Sequence, residues 1–199
     1  MKTKFICGFF PKYKLHKVCR KDMLRPVMNY LYFKDGNVYA TDAHIAIAAP
    51  LSFVSTFSDE EQKLLDGKLI HAKQFAELLK MRETKIERVS EDLTNFVCKT
   101  IYGQIVMFPL LNEKDQNIKF SNVKVVVENA IISAKNDKNP ISRVGINANM
   151  LANLADAIGT KNIDLYFTNS KSSIVVLDND ECNEIRAIIM PIIINSKLY

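Results

Sequence analysis

The stretch Val38-Tyr-Ala-Thr-Asp-Ala-His-Ile-Ala-Ile-Ala-Ala-Pro50 carries polar residues inside an apolar run that is otherwise typical of a buried strand. Polar groups in a buried strand need hydrogen-bond partners, so Thr41, Asp42 and His44 indicate a bend between two strands. Asp commonly accepts hydrogen bonds from nearby backbone amides at such a bend, which favours a structural role for Asp42 over an acid–base pair with His44.

The residues on either side of the bend predict paired strands. Met28–Phe33 is rich in aromatic residues and predicts a strand, and Asp35-Gly36 is a strong signal for a hairpin turn. Val38–Thr41 is the expected return strand. Ile45–Ala49 is expected to form a third strand, which Pro50 ends.

Two longer segments share one predicted order of elements. Lys68–Pro109 predicts a strand, a helix at Ala72–Arg82 and then three strands, at about 84–90, 94–100 and 103–108. Arg143–Ile194 predicts the same order, with a helix at 148–158 between an Asn147 N-cap and a Gly159 C-cap. Between these segments we expect a polar linker at 111–119, a strand at Val123–Val127 and a polar turn at 133–140. The sequence therefore indicates repeated β-α-β-β-β units in an α+β fold.

Composition narrows the class of protein. The chain has 199 residues and a formal net charge of +5, and it is 48% hydrophobic, as expected of a globular protein with a core. Apolar runs of membrane-helix length and a signal-peptide pattern are missing, so we expect a cytoplasmic protein with reduced cysteines. The motifs of nucleotide, metal and nucleophile sites are also missing, and we expect neither an enzyme nor a cofactor or metal.

Positive charge is concentrated near the start of the chain. Residues 1–25 hold eight Lys or Arg against the single acid Asp22. Such a cluster can attract phosphate backbones, although a solvated basic terminus is the simpler explanation from charge alone.

Several motifs, in order, resemble the bacterial DNA polymerase III β sliding clamp. Thr41-Asp-Ala-His-Ile-Ala46 resembles the family's ATDGHRLA stretch in its middle domain, and Phe108-Pro109 resembles its FPDY segment. Lys161–Ile174 is similar to its late hairpin, and Ile188-Ile-Met-Pro-Ile192 resembles its C-terminal VVMPM strand. Each motif is weak alone, but their shared order over residues 22–194 is specific.

The resemblance implies a DNA clamp fold built from β-α-β-β-β half-domains. It divides the chain into 1–115, like the middle domain, and 116–199, like a shortened C-terminal domain. Clamps of this family encircle duplex DNA, with helices lining the hole, and tether a polymerase without catalysis.

The resemblance also implies a groove that docks short peptides of replication proteins. Its residues here would be Thr41, Ala43, His44, Ile45, Ala46, Asn147, Met150, Lys171, Ser173, Ile188, Ile189, Met190, Pro191 and Ile192. The alternative for Ile188–Ile194 is a core strand without a binding role.

The chain departs from the family in ways that bear on function. Ala43 and Ile45 replace a Gly and an Arg of the bend, and Met150 replaces an aromatic residue of the groove. The family's first domain has no counterpart here, and the segment 120–142 is predicted to lack room for its helix. Because helix 148–158 carries no Lys or Arg, DNA contact is expected at Lys12, Lys14, Lys17, Arg20, Lys21, Arg25, Lys73, Lys80 and Arg82.

The sequence thus predicts a shortened, homo-oligomeric clamp that binds duplex DNA regardless of sequence and docks replication proteins. The alternative is a clamp-fold adaptor or regulator that works through protein contacts and no longer encircles DNA.

Overall fold

The structure is a computed structural model that describes residues 8–116, 120, 122–136, 144–169, 171–178 and 184–192. Its strands are β1 (Tyr30–Lys34), β2 (Asn37–Thr41), β3 (Ile45–Pro50), β4 (Lys68–His71), β5 (Glu83–Arg88), β6 (Thr94–Lys99), β7 (Ile105–Pro109), β8 (Leu111–Asn112), β9 (Ile163–Tyr166), β10 (Ile174–Asp178) and β11 (Arg186–Ile189). Its α-helices are α1 (Leu51–Val54), α2 (Asp59–Leu64), α3 (Ala72–Leu78), α4 (Val123–Asn136) and α5 (Ala148–Ile158). Single 3-10 turns lie at Leu15–Val18, Pro26–Asn29 and Glu113–Gln116.

The predicted hairpin before the bend is confirmed. Asp35 and Gly36 both have positive φ, 49° and 69°, as a two-residue hairpin turn of the primed type requires. The turn sets Lys34 opposite Asn37 and fixes the β1–β2 register. The predicted strands are confirmed too, except that residues 26–29 form a 3-10 turn before β1 begins.

One antiparallel sheet joins the two halves of the chain. Its eight strands follow the order β8-β4-β1-β2-β3-β11-β10-β9, and β5-β6-β7 form a second sheet. The halves meet where β3 pairs with β11, with Ile47 opposite Ala187. The predicted division into residues 1–115 and 116–199 stays a prediction, since a shared sheet is compatible with one domain or two.

The larger sheet packs on both faces. On one face the main core includes Phe33 of β1 and Leu154 of α5, together with buried residues of the second sheet. Phe9 is central there, because its ring lies 4.9 Å from that of Phe75 and 5.8 Å from that of Phe96, between centroids. On the opposite face, α4 packs over a smaller cluster that includes Tyr32 and Ile188. Helices therefore lie on both sides of this sheet.

The prediction for residues 123–136 is wrong. A strand was expected at Val123–Val127, a turn from 133 and no room for a helix, but this segment is the 14-residue helix α4. The valine run favours a strand by intrinsic propensity. Val123 and Val127, however, lie one helical turn apart and are both buried against the sheet, and this packing decides the structure.

The predicted repeat is confirmed in its first unit and incomplete in its second. The first unit runs β4, α3, β5, β6 and β7, although α3 ends at Leu78 and not at Arg82. In the second unit α5, β9, β10 and β11 follow in the predicted order. The strand expected before α5 is reduced to a single bridge between Gly145 and Ile192.

Two local predictions have clear outcomes. The caps of α5 are confirmed, because the Asn147 side chain accepts amide hydrogen bonds and Gly159 takes the left-handed conformation at φ 80°. The linker predicted at 111–119 is wrong at its start, since Leu111 and Asn112 pair with β4.

No helix in the described ranges is long and apolar enough to cross a membrane.

The helical state of α4 predicts unequal effects at two nearby valines. Val127→Asp places a carboxylate in the buried cluster and is expected to lower the free energy of unfolding by about 3 kcal/mol. Val125→Asp is the matched control, because Val125 is 42% exposed on the outer side of the helix and should cost less than about 1 kcal/mol. In a strand these residues would share one face, so equal losses in urea unfolding would contradict the helix.

Candidate functional site

The bend between β2 and β3 is held by its own polar side chains. The Asp42 carboxylate is buried, and its Oδ1 accepts hydrogen bonds from the backbone amides of His44 and Ile45, each at 2.8 Å. The Thr41 hydroxyl donates to the Ile45 carbonyl oxygen at 2.8 Å. Asp42 thus has the structural role expected from the sequence, and its bond is to the His44 backbone rather than the imidazole.

The bend exposes two of its residues. Ala43 has φ 73°, a left-handed conformation that costs a residue with a Cβ some strain. Ala43 and His44 consequently project from the turn, while Thr41 and Ile45 on either side remain buried. The apolar strand pair therefore ends in an accessible tip.

The last strand reaches the same tip. The Met190 amide donates to the His44 carbonyl oxygen at 2.7 Å, and Ile188 lies opposite Ala46 in the sheet. Bend and strand together enclose a cavity of about 160 Å³. The predicted peptide-binding residues that line it are Thr41, Ala43, His44, Ile45, Ala46, Ile188 and Met190.

The other predicted peptide-binding residues lie outside this cavity. Ser173 is nearest, since its hydroxyl is 3.0 Å from the Met190 sulfur. Asn147 caps α5, Met150 packs against the main core, and Ile189 is fully buried in that core on the other face of the sheet. Lys171 is exposed, and Pro191 and Ile192 follow the end of β11.

Helix α4 supplies a wall of the cavity that was not predicted. Val123 and Val126 line it opposite the bend, and Val126 is 49% exposed. The signal in the sequence was the four-residue spacing of Val123, Val127 and Ile131, which the valine-rich composition of the segment obscures. The cavity is consequently small, with room for about one large side chain.

Part of the predicted DNA-binding set is engaged in ion pairs. The ammonium groups of Lys14 and Lys17 both contact Asp156 on α5, and Lys17 is the main cause of a lowered pKa of the Asp156 carboxyl, followed by Lys14. Arg25 pairs with Asp22 at 3.1 Å. Half-exposed pairs of this kind are weak, so they reduce the local positive charge without fixing the side chains firmly.

The remaining cations of the set are exposed on neighbouring elements. Lys73 and Lys80 lie on and just after α3, which packs beside the Leu15–Val18 turn. Burial lowers the pKa of His16 in that turn, and the nearby charges of Lys17, Lys14 and Lys80 lower it further. Lys12, Arg20, Lys21 and Arg82 are exposed as well. The basic residues therefore gather on the side of the sheet that carries α3 and α5.

The described cysteines, Cys19 and Cys98, are free thiols. Burial raises the pKa of Cys98 to about 11 and that of Cys19 further still. Both are protonated at neutral pH and weakly nucleophilic. Cys7 and Cys182 lie outside the described residues.

Comparison with solved structures identifies the fold. The chain aligns over 96% of its length with the DnaN sliding clamp from Bartonella birtlesii bound to griselimycin, with a TM-score of 0.58 and 14% identity. It aligns over 94% of its length with Caulobacter crescentus pol III beta, with a TM-score of 0.60 and 13% identity. It also aligns over 94% of its length with a DNA polymerase sliding clamp from Pseudomonas aeruginosa, solved with ligand, with a TM-score of 0.54 and 14% identity.

These comparisons confirm the predicted fold class. They also confirm, at the level of the fold, the resemblance to the DNA polymerase III β sliding clamps. The chain spans 66–67% of the length of these three clamps. No protein-family model matches the sequence, and no curated protein matches it. The chain has the sliding-clamp fold with very little of the clamps' sequence.

The bend predicts a difference between two substitutions of Asp42. Asp42→Ala removes the acceptor for two buried amides and should lower the free energy of unfolding by about 2 kcal/mol. Asp42→Asn is the matched control, because an amide oxygen can accept the same bonds, and it should cost about 1 kcal/mol or less. Equal losses for both variants in urea unfolding would show that the carboxylate charge, and not its two bonds, stabilises the bend.

Proposed function

We propose that this protein is a clamp-like scaffold of DNA replication, which binds duplex DNA without sequence preference and docks peptide segments of replication proteins. The observation that carries the proposal is the meeting of the Asp42 bend and the end of β11 around one cavity, within a sliding-clamp fold. The protein acts by binding, without catalysis or a cofactor. Its place of action is the cytoplasm.

Peptide docking rests on the chemistry of the cavity. Ile188 and Met190 provide an apolar surface, while the exposed His44 and the Thr41 hydroxyl provide polar groups at the edge. Because α4 narrows the cavity, the docked peptide inserts one apolar side chain. The rest of the peptide lies across the exposed tip.

DNA binding rests on the basic residues beside α3 and α5. Lys12, Lys73, Lys80 and Arg82 are exposed and can approach phosphates without breaking the ion pairs that Lys14, Lys17 and Arg25 make. Contacts of this kind depend on salt and carry no sequence information.

Assembly into a ring needs an exposed interface. Strand β7 is an edge of the second sheet, and its Ile105 and Met107 are 69% and 58% exposed. An apolar edge strand favours pairing with another chain. Three copies would supply the six domains of a clamp ring, by analogy with clamps of two-domain chains.

A second candidate function is a clamp-fold adaptor that binds proteins only. It is favoured by Asp156, which pairs with two of the predicted DNA-binding lysines on the surface that would face DNA. The adaptor would use the same cavity but would need no ring.

Solution mass and DNA retention separate the two candidates. A clamp should have the mass of about three 22.6 kDa chains and stay on circular plasmid but leave the linearised plasmid. Ile105→Lys with Met107→Lys should abolish both behaviours, because charges on the edge prevent pairing. Ile132→Lys, on an exposed apolar residue of α4, is the matched control and should change neither.

A monomer without salt-dependent DNA binding would exclude the clamp and leave the adaptor.

The peptide site has its own test. A random displayed library selected on the intact protein and counter-selected on His44→Ala, Met190→Ala protein is expected to yield peptides that bind this double variant at least about tenfold more weakly, through loss of the anchor contacts. Val89→Ala is the matched control, since Val89 is 60% exposed just after β5 and outside the cavity. Recovery of no peptide that loses affinity for the double variant would exclude this cavity as the docking site.

A further inference from the structure

A second and larger cavity lies beside the basic segment. It has a volume of about 550 Å³ and is formed by residues of the 16–29 segment and by the start of α3. Its surface is mainly apolar, with contributions from Met23, Pro26 and Ala76. It shares no residue with the cavity at the Asp42 bend.

The loop at the mouth of this cavity is firmly held, yet it presents apolar side chains to solvent. Asp22 Oδ1 accepts hydrogen bonds from the backbone amides of Leu24 and Arg25 at 2.9 and 2.8 Å. The Asn29 side chain accepts a hydrogen bond from the Asp22 amide through Oδ1 and donates one to the Asp22 carbonyl oxygen through Nδ2. Met23 and Leu24 are nevertheless 89% and 94% exposed. An ordered loop that exposes two large apolar residues is typical of a protein contact surface.

Positive charge surrounds the same cavity. Arg20, Lys21 and Lys73 line it and are exposed, and within the described ranges Asp22 is the single acid among the lining residues. The Asp22 carboxylate is already used by the loop amides and by the Arg25 guanidinium. The three cations of the lining therefore lack a neutralising acid there.

One polar atom in this wall has no partner. His16 lines the cavity, and its Nδ1 is buried without a hydrogen bond among the described residues. Because this nitrogen is shielded from solvent, a ligand in the cavity reaches it only if the ring or its neighbours move. Burial, with Lys17 and Lys14 nearby, lowers the pKa of His16, so the neutral ring can accept or donate a hydrogen bond.

We propose that this cavity binds an acidic peptide segment of a partner protein. One apolar side chain of the peptide enters the cavity against Ala76 and Pro26, while its carboxylates pair with Arg20, Lys21 and Lys73. Met23 and Leu24 cover the peptide from the loop. Single-stranded nucleic acid fits less well, because the described lining holds no Phe, Tyr or Trp on which bases could stack.

The test is a peptide selection with a variant that blocks the cavity. A random displayed library is selected on the intact protein and counter-selected on Ala76→Trp protein, in which the indole fills the cavity. The peptides recovered should be rich in Asp, Glu and large apolar residues. They should bind Lys73→Glu protein at least about tenfold more weakly, through loss of the charge pair.

Lys80→Glu is the matched control, because it makes the same charge change near the same helix but outside the cavity lining. The affinity of the Lys80→Glu protein for the selected peptides should stay within about twofold of that of the unsubstituted protein, because this side chain does not touch the peptide. Circular dichroism should show that the Ala76→Trp protein is folded.

Three results would overturn the proposal. In the first, no recovered peptide loses affinity for the Ala76→Trp protein. In the second, Lys73→Glu and Lys80→Glu weaken peptide binding equally. In the third, duplex or single-stranded DNA, rather than a peptide, loses affinity for the Ala76→Trp protein. The proposal does not depend on the clamp function, since its peptides should bind His44→Ala, Met190→Ala protein normally.

Discussion

The antiparallel pairing of β3 with β11 is the interaction on which the rest of the structure depends. It joins strands that are more than 130 residues apart in the chain, from Arg186 opposite Ala48 to Ile189 opposite Ile45. Without it the larger sheet would divide into one part from each half of the chain. The same pairing brings Met190 to the His44 carbonyl, so the candidate peptide site exists only because the halves are joined.

The sheet separates two kinds of surface. Helices α3 and α5 and the basic segment lie on one face, with the large cavity beside the start of α3. Helix α4 lies on the other face and narrows the cavity at the bend. The fold is that of the sliding clamps, in about two thirds of their length, and α4 limits what the cavity at the bend can hold.

Features that depend on local chemistry were predictable from the sequence. The Asp35-Gly36 turn, the Asp42 bend and both caps of α5 each rest on one or two residues acting within a few positions of the chain. The α4 helix was not predictable from propensity, because burial of Val123 and Val127 against a distant sheet overrides the valine preference for strands. Of the candidate site, the bend and the last strand could be named from motifs, whereas the α4 wall and the cavity lined by His16 and Lys73 depend on long-range packing.

The most direct test of the joined sheet is native-state hydrogen exchange at the amides of β3 and β11. If the two strands are paired as described, the protected amides of Ile47 and Ile188 should exchange through the same global unfolding, with opening free energies equal to within about 0.5 kcal/mol. If β11 amides exchange with an opening free energy lower than that of β3 by about 2 kcal/mol or more, the two halves of the chain are not joined through this pair of strands.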